Sequence, residues 1–438
     1  MKKLGEIKKY IFSILIIIFL TLISNIISLY KDFDSILLYI KNCNVFWLIL
    51  LLASILISLT IDALIVKMFV NSYLKNYSFF SALVTNFIGT FFNSIAPSFS
   101  GSGQIAKAYT LSKQGVPLRC GASLMVISII LTEIVMLALG IFTLFFRTDL
   151  LTNIGGISLG RFKLSLYPYS ITAFFFNLII IVLIGFMCFS YIAQNFFINL
   201  LASVLKYFNL INNADQLKEN LSIRMESFRI ELKRSIKNFG LTLTLAILIF
   251  FKLVSRFSMP WFIGMMLNGF NQNTFGNVSF SGFINACLMS NYHYLSVNLI
   301  PIPGTAGVSE LFFVKLFEKF YINKKIVKAS QLIWRFFTYY FMFLISFLVT
   351  IFYKFSPIDT ENINYDYKTF VTVQFELLDD KSKSFLKKMI NKNNNVQKIY
   401  DLDSFIEPDN EDDSNFSEMF DEKNNKKRFN KWRVLDIN

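Results

Sequence analysis

The chain has 438 residues, of which 54% are hydrophobic, 16% are charged and 51 are Phe, and its formal net charge is +14. Soluble domains carry about 25% charged residues and expose a polar face on each helix, so this composition excludes an ordinary soluble protein. In a membrane protein such positive charge is typical of cytoplasmic loops near anionic lipid headgroups, and we expect no nucleic-acid partner.

Six apolar segments are long enough to cross a bilayer as α-helices. About 20 apolar residues at 1.5 Å per residue span the roughly 30 Å hydrocarbon core. The six segments are Tyr10–Tyr30, Phe46–Val66, Arg119–Phe146, Tyr167–Tyr191, Leu241–Leu267 and Ala329–Tyr353. The first follows four lysines, as in a signal peptide, but it is too long and lacks a small-residue cleavage site, so we expect a retained helix. The sequence therefore predicts an all-α polytopic membrane protein.

Two further apolar segments, Phe79–Gly103 and Phe280–Gly307, are interrupted by proline and glycine. The interrupting residues are Pro97, Gly101 and Gly103 in the first, and Pro301, Pro303, Gly304 and Gly307 in the second. Proline removes a backbone donor and glycine permits turns that other residues resist. Such breaks survive at membrane depth where they are buried in protein or line a wet cavity, so we expect two re-entrant segments. A kinked helix or an interfacial turn is the alternative.

The two interrupted segments resemble each other, since "NSIAPSFSGSGQ" and "NLIPIPGTAGVSE" share an order of Asn, apolar residues, Pro and glycines. The sequence thus predicts an inverted repeat with halves at about 10–146 and 167–354, a design that recurs in transporters. If both segments are re-entrant, most lysines and arginines of the loops lie on the same side of the membrane as the N-terminus and the tail. By the positive-inside rule we expect this side to be cytoplasmic. A lysine-rich stretch at 315–328 would then lie on the other side, against this rule.

Three regions complete the predicted organisation. Residues 1–355 form the membrane domain, and 196–240 form a cytoplasmic amphipathic helical connection whose apolar residues recur at helical spacing. Residues 356–438 are polar and Asn-rich, which predicts a largely disordered cytoplasmic tail. The four cysteines are far apart and His293 is the one histidine in the sequence, so we expect no metal site and no cofactor.

Several charged residues lie deep in the apolar segments. Lys252 and Arg256 are four residues apart and share a helical face. A Lys or Arg at the bilayer centre costs at least about 2.5–3.5 kcal/mol, so each needs a partner or a cavity. Two interpretations remain open: either the charges pair to fix packing, or they bind the phosphate of a lipid headgroup. The candidate headgroup residues are Lys252, Arg256, Arg335, Glu310 and Glu133.

The motif "PIPGTAGVSE", followed by "QLIWRFFTYY", resembles the signature of the lysylphosphatidylglycerol synthase transmembrane-region family. The first-half stretch "PSFSGSGQIAKAYTLSKQG" is similar to the corresponding motif of that family. Thr305 replaces a usual glycine, Gln104 stands where an acidic residue is common, and Ser128 occupies the place that Arg335 has in the second half. The matching positions are Pro303, Gly304, Gly307, Glu310 and Arg335, and in the first half Pro97, Gly103, Lys107 and Leu111.

The resemblance implies a plasma-membrane flippase that moves an anionic, aminoacylated or polyprenyl-linked lipid between leaflets. The catalytic domain of the full synthases is not expected here, because only about 80 largely polar residues follow Ser356 in this sequence. No catalytic motif was found, so enzyme activity is not expected. The partners would be membrane lipids, above all anionic phospholipid, and a lipid synthase. The alternatives are a non-transporting scaffold for such an enzyme and an intramembrane lipid-modifying enzyme.

Overall fold

The computed structural model describes residues 38–354, with gaps at 97–100, 117, 153, 160–161, 208–213, 272–273, 301, 303 and 306. The predicted first span, Tyr10–Tyr30, and the predicted tail, 356–438, lie outside the described residues. So do Pro97, Pro301 and Pro303 of the interrupted segments.

The described chain is a succession of helices with one short hairpin. Its first part contains α1 (Val45–Asn71), α2 (Phe79–Ile95), α3 (Ser102–Lys113), α4 (Leu118–Phe146) and α5 (Thr148–Thr152). The middle part contains β1 (Gly156–Leu159), β2 (Phe162–Ser165), α6 (Leu166–Phe189), α7 (Tyr191–Tyr207) and α8 (Ala214–Lys237). The last part contains α9 (Phe239–Phe257), α10 (Met259–Met266), α11 (Phe280–Asn298), α12 (Val308–Leu316), α13 (Lys324–Arg335), a π-helical turn (Phe336–Tyr340) and α14 (Phe341–Phe352).

Five helical stretches in the described part are long and apolar enough to cross a membrane. They are Val45–Asn71, Leu118–Phe146, Leu166–Phe189, Phe239–Met266 and Lys324–Phe352. Between 17% and 39% of each apolar window is buried inside the protein, and each helix also has exposed apolar side chains, which would lie against lipid. These stretches match the predicted segments within the described range and confirm an all-α polytopic membrane protein. The antiparallel hairpin of β1 and β2, which pairs Gly156 with Ser165, was not predicted.

Local sequence sets where several helices start. The side chain of Asn44 accepts a hydrogen bond from the Phe46 amide at the start of α1, and Ser78 accepts one from the Phe80 amide at the start of α2. Asn323 caps α13 in the same way. Such caps satisfy backbone donors that a helix start leaves unpaired. The predicted segment Leu241–Leu267 is divided into α9 and α10 at Ser258, just before Pro260, which has no N–H to donate.

The first broken segment, formed by α2 and α3, returns to the end of the bundle where it starts. Gln114, directly after α3, accepts hydrogen bonds from Tyr77, just before α2 (2.6 Å), and from Thr85, in the second turn of α2 (3.2 Å). Its amide also donates to the hydroxyl of Tyr353, after α14 (3.2 Å). We name this the Gln114 end of the bundle.

The second broken segment, formed by α11 and α12, returns to the opposite end. The amide of Asn285 near the start of α11 donates to the carbonyl of Phe275 (2.8 Å), and the Phe275 amide donates to the carbonyl of Lys319 after α12 (3.2 Å). The Asn44 amide, before α1, donates to the carbonyl of Met266 in the same region (2.9 Å). We name this the Lys319 end. Both interrupted segments are therefore re-entrant in the bundle, as predicted.

A pair of helices, α7 and α8, covers the Gln114 end. Arg234 of α8 donates to the carbonyl of Ser72 (2.9 Å) and lies over the ring of Tyr73 (4.4 Å to the centroid), directly after α1. Tyr73 in turn donates to the carboxylate of Glu231. The connection predicted at 196–240 is helical in its described residues, and its cytoplasmic location stays a prediction.

Candidate functional site

Three cations surround one carboxylate between α1, α3 and α9. Asp62 of α1 accepts a hydrogen bond from Lys252 of α9 (3.1 Å), and its other oxygen lies 3.9 Å from the ammonium of Lys107 of α3. The side chains of Lys107, Lys252 and Asp62 are 14%, 18% and 28% exposed, so the pairs are substantially buried. By helix rise, Asp62 lies about 14 Å and Lys252 about 20 Å from the Gln114 end of its own helix. We name this group the deep cation cluster.

Arg256 completes the deep cation cluster from the next turn of α9. It interacts electrostatically with Asp62, and its guanidinium lies over the ring of Tyr294 of α11 (5.9 Å to the centroid). Lys252 therefore faces the interior beside the first broken segment, as expected. Arg256 is exposed, so the expectation that both deep cations face the protein interior is wrong for Arg256. With three cations and one carboxylate, the cluster keeps an excess positive charge.

Two glycines let Lys107 reach this place. A Cβ at Gly89 of α2 would lie 2.4 Å from Cγ of Lys107, and a Cβ at Gly103 of α3 would lie 2.6 Å from the carbonyl oxygen of Gly89. Any larger residue would separate the two arms of the first broken segment. The side chain of Lys107 thus crosses α2 through the space that Gly89 leaves, and it ends at Asp62.

A second charged pair lies where the second broken segment turns. Glu310, in the first turn of α12, has a carboxylate oxygen 2.8 Å from Nε of Arg335, and the two side chains are 6% and 4% exposed. The contact is not aligned as a hydrogen bond, so the pair is held by charge. Arg335 also donates to the carbonyl of Gly304 (2.6 Å). Glu310 further benefits from the positive end of the helix dipole of α12.

Tyr339 joins the turning points of both broken segments. Its hydroxyl donates to the carbonyl of Ser94, near the end of α2 (3.2 Å), and its ring lies under the guanidinium of Arg335 (4.2 Å). A Cβ at Gly304 would lie 2.5 Å from the Tyr339 hydroxyl oxygen, so glycine is required there, and its φ of 58° also favours glycine. We name Glu310, Arg335, Tyr339 and Gly304 the tip junction.

The backbone at the tip junction departs from a regular α-helix. Residues Phe336–Tyr340 form a π-helical turn between α13 and α14. Such turns are rare and frequently occur at functional sites. Gly101 and Gly307, which directly precede α3 and α12, both have positive φ, at 59° and 78°. The second arm of each broken segment therefore starts after a left-handed glycine.

The structure does not bring Glu133 into either charged group. Glu133 lies midway along α4, and its Oε2 is buried without a hydrogen-bond partner among the described residues. The carboxylate that Lys252 contacts is Asp62. His293 is buried and its Nε2 lies 2.9 Å from the carbonyl of Ser309, so it is part of the packing of the second broken segment. In the part of the chain that the structure describes, no three His, Cys, Asp or Glu side chains come together as metal ligands would.

Sequence reasoning did not include Asp62, Lys107, Tyr339 or Gly89 among the site residues. Asp62 lies inside the predicted segment Phe46–Val66, but nothing in the sequence relates it to Lys252, which lies 190 positions away. Lys107 carried one signal, since it matched a family position in the first-half motif. No sequence pattern indicated a role for Gly89, because that role depends on the close contact between α2 and α3, which only the fold shows.

Comparison with known families bears on this arrangement. A family model, the lysylphosphatidylglycerol synthase TM region, matches residues 10–346. The chain belongs to this family. The match covers both broken segments, the deep cation cluster and the tip junction, and it indicates a multi-pass membrane protein involved in lipid handling. The comparisons with curated proteins and with solved structures gave no match.

Proposed function

We propose that the protein moves an anionic phospholipid, or an aminoacylated or polyprenyl-linked relative of one, between the two leaflets. The observation that carries this proposal is the deep cation cluster, in which three cations share one carboxylate. A phosphate diester carries one negative charge and offers unprotonated oxygens to such donors. Arginine can make two parallel hydrogen bonds to them, and Lys107 and Lys252 add point charges.

The position of the cluster supports transport over mere binding. Lys107 belongs to the first broken segment and Arg256 lies against Tyr294 of the second. Broken helices that face each other inside the membrane are the usual place for a transported substrate. Buried ionisable groups at membrane depth generally mark such pathways.

The contacts between helices support an inverted repeat. The first arm of the first broken segment, α2, packs against α14, the last span of the second half. Reciprocally, the first arm of the second broken segment, α11, packs against α4, the last span of the first half. Helices α1 and α9, which hold equivalent places in the two halves, pack on each other. Reciprocal contacts of this kind follow from a two-fold relation between two halves.

We place the Gln114 end in the cytoplasm of a cell whose plasma membrane holds the protein. Helix α8, with its lysines and arginines, lies at this end, as the positive-inside rule favours. The tail and the N-terminus would lie on the same side. Labelling with a membrane-impermeant thiol reagent checks this: a cysteine introduced at Lys237 should react in opened cells and stay protected in intact cells.

Reconstitution tests the proposed function. The full chain in liposomes with labelled phosphatidylglycerol should exchange the label between leaflets faster than protein-free liposomes. Lys107→Gln should slow exchange about tenfold, since one charge-assisted contact is worth about 1.5–3 kcal/mol. The matched control is Lys113→Gln, on the same helix but exposed. Exchange at background rate with phosphatidylglycerol and with aminoacylated and polyprenyl-linked lipids would contradict transport and favour the scaffold.

A further inference from the structure

Helix α7 begins where the span α6 ends, but it does not continue that helix. Ser190, the one residue between the two helices, has an extended backbone, with φ at −91° and ψ at 118°. The amide of Ala193 donates a hydrogen bond to the hydroxyl of Ser190 (3.3 Å), which caps the start of α7. The side-chain amide of Gln194 donates to the carbonyl of Cys188 in α6 (3.1 Å). The first turn of α7 is therefore fixed to the end of a membrane span.

Three sides of α7 have different surroundings. On the first side, Ile198 and Ala202 are buried, and the helix packs against α8. The second side, which we name the apolar side, carries large exposed side chains: Phe196, Phe197, Leu200 and Val204. The third side, which we name the polar side, carries side chains that are at least partly exposed: Asn195, Asn199, Ser203 and Lys206. A turn of about 100° per residue places the apolar and polar sides next to each other on the surface that α8 leaves uncovered.

The apolar side of α7 follows an apolar surface of α6 in the chain. In the last two turns of α6, four large apolar side chains are exposed: Val182, Leu183, Phe186 and Phe189. This helix is long and apolar enough to cross a membrane, so these side chains would lie against acyl chains. Ile192, in the first turn of α7, is 79% exposed and lies three positions after Phe189. The leaflet that surrounds the end of α6 is therefore also within reach of α7.

The adjacent apolar and polar sides identify a lipid surface as the partner of α7. An amphipathic helix lies along a membrane with its apolar side in the boundary between headgroups and acyl chains and its polar side in water. In water the apolar side would remain exposed, which the hydrophobic effect disfavours. The sequence of α7 contains no Asp or Glu and one cation, Lys206. A lysine near the headgroups is attracted to anionic lipid.

We propose that α7 binds the leaflet at the Gln114 end, with its apolar side in the lipid and its polar side toward water. Its buried side packs on α8, whose Arg234 donates to the carbonyl of Ser72 directly after α1 (2.9 Å). The lipid surface thereby holds the pair of α7 and α8 across this end of the bundle. This inference goes beyond the proposed transport and does not depend on it.

Spin labels on the full chain in nanodiscs that contain phosphatidylglycerol test the location of α7. The labels are attached to Phe196→Cys on the apolar side and to Asn199→Cys on the polar side. Both variants also carry Cys43→Ser, because the other three native cysteines are buried. Oxygen concentrates in hydrocarbon and a nickel chelate stays in water. The ratio of oxygen to nickel accessibility should be at least about threefold higher at position 196 than at position 199.

The same measurement identifies the other occupants of this face. The Cys43→Ser chain without an introduced cysteine gives the background labelling. High nickel accessibility at both positions would place α7 in water and overturn the proposal. Low accessibility of position 196 to both reagents would show that another protein or a second copy of the chain covers the apolar side, and it would also overturn the proposal.

Polar substitutions on the apolar side provide a second test. Phe196 and Leu200 are exposed, so Phe196→Gln/Leu200→Gln removes little packing within the protein and would be tolerated in water. In nanodiscs the variant should lose its hold on the leaflet, and amide hydrogen exchange in α7 should quicken at least about fivefold while exchange in α4 stays as in wild type. The matched control on the polar side, Asn195→Gln/Asn199→Gln, should exchange as wild type does. Unchanged exchange in α7 of the Phe196/Leu200 variant would refute the lipid contact. Neither test measures leaflet exchange, so a negative result here leaves the proposed transport untouched.

Discussion

Gly89 determines whether the first broken segment can carry a lysine into the deep cation cluster. Gly89→Ala would bring a Cβ to 2.4 Å from Cγ of Lys107 and 2.9 Å from the carbonyl oxygen of Gly103. We expect a loss of about 1–3 kcal/mol of stability, as for overpacked cores, and a displaced Lys107. Thermal unfolding in detergent measures the first effect. Gly185→Ala on α6 is the control, because nothing lies within 4 Å of its Cβ position, and it should leave stability unchanged or raised.

Arg256 should be less replaceable than Lys252. Arg256→Lys keeps the charge but loses the planar fork that binds two phosphate oxygens, so leaflet exchange should fall well below that of Lys252→Arg. Expression and thermal stability should stay near wild type for both variants. If these charges serve packing alone, the neutral variant Asp62→Asn/Lys107→Gln/Lys252→Gln, which removes the carboxylate and both of its buried partners, should remain stable and active, and an active protein of this kind would rule out the headgroup role.

Glu318 makes the Lys319 end sensitive to acid. Burial favours its neutral form, but the hydrogen bond from Lys324 and the charges of Lys315 and Lys324 hold the pKa of Glu318 below its usual range. A carboxylate with a lowered folded-state pKa stabilises the protein above its unfolded-state pKa, and this contribution disappears as the pH falls through the folded-state value. Between pH 6 and pH 3, wild type should therefore lose more thermal stability than Glu318→Gln. An equal loss of thermal stability in wild type and in Glu318→Gln over this pH range would contradict this account.

At the scale of elements, Tyr339 holds the two broken segments in register. Tyr339→Phe removes the hydrogen bond to Ser94 and keeps the ring that packs on Gly304 and Arg335. The free energy of unfolding should fall by about 1 kcal/mol, and the local destabilisation should be largest at the turning points of the broken segments. Hydrogen exchange should quicken at the end of α2 and at the start of α12, with little change in α6. Tyr109→Phe, at an exposed position of α3, should leave exchange at both places as in wild type.

The elements themselves were predictable from the sequence, while their contacts were not. Long apolar runs fix the spans, because hydrocarbon tolerates few alternatives to a helix, and clustered glycines and prolines locate the breaks. The division at Ser258 is a local effect that Pro260 already signals. The pairing of Lys252 with Asp62 and the reach of Tyr339 to Ser94 join helices from different halves. Such contacts depend on three-dimensional packing that periodicity does not encode.

For the whole molecule, the proposed inverted repeat predicts a measurable symmetry. In an experimental structure, Phe79–Lys113 should superpose on Phe280–Leu316 after a rotation of about 180° around an axis in the membrane plane. In the proposed repeat this axis passes between α1 and α9, which pack on each other, and it relates the packing of α2 on α14 to that of α11 on α4. A superposition that needs an axis along the membrane normal would contradict the inverted arrangement.

The contact between Tyr339 and Ser94 has a consequence for biogenesis. The two residues are 245 positions apart, and Gln114 reaches Tyr353 over 239 positions. The first broken segment therefore emerges from the ribosome long before the helix that holds its turning point. Ordering a chain around contacts of such separation is slow, because loop closure precedes any gain from the contact. Until α14 is inserted, the unpaired backbone at the end of α2 requires water or an insertion factor to cover it.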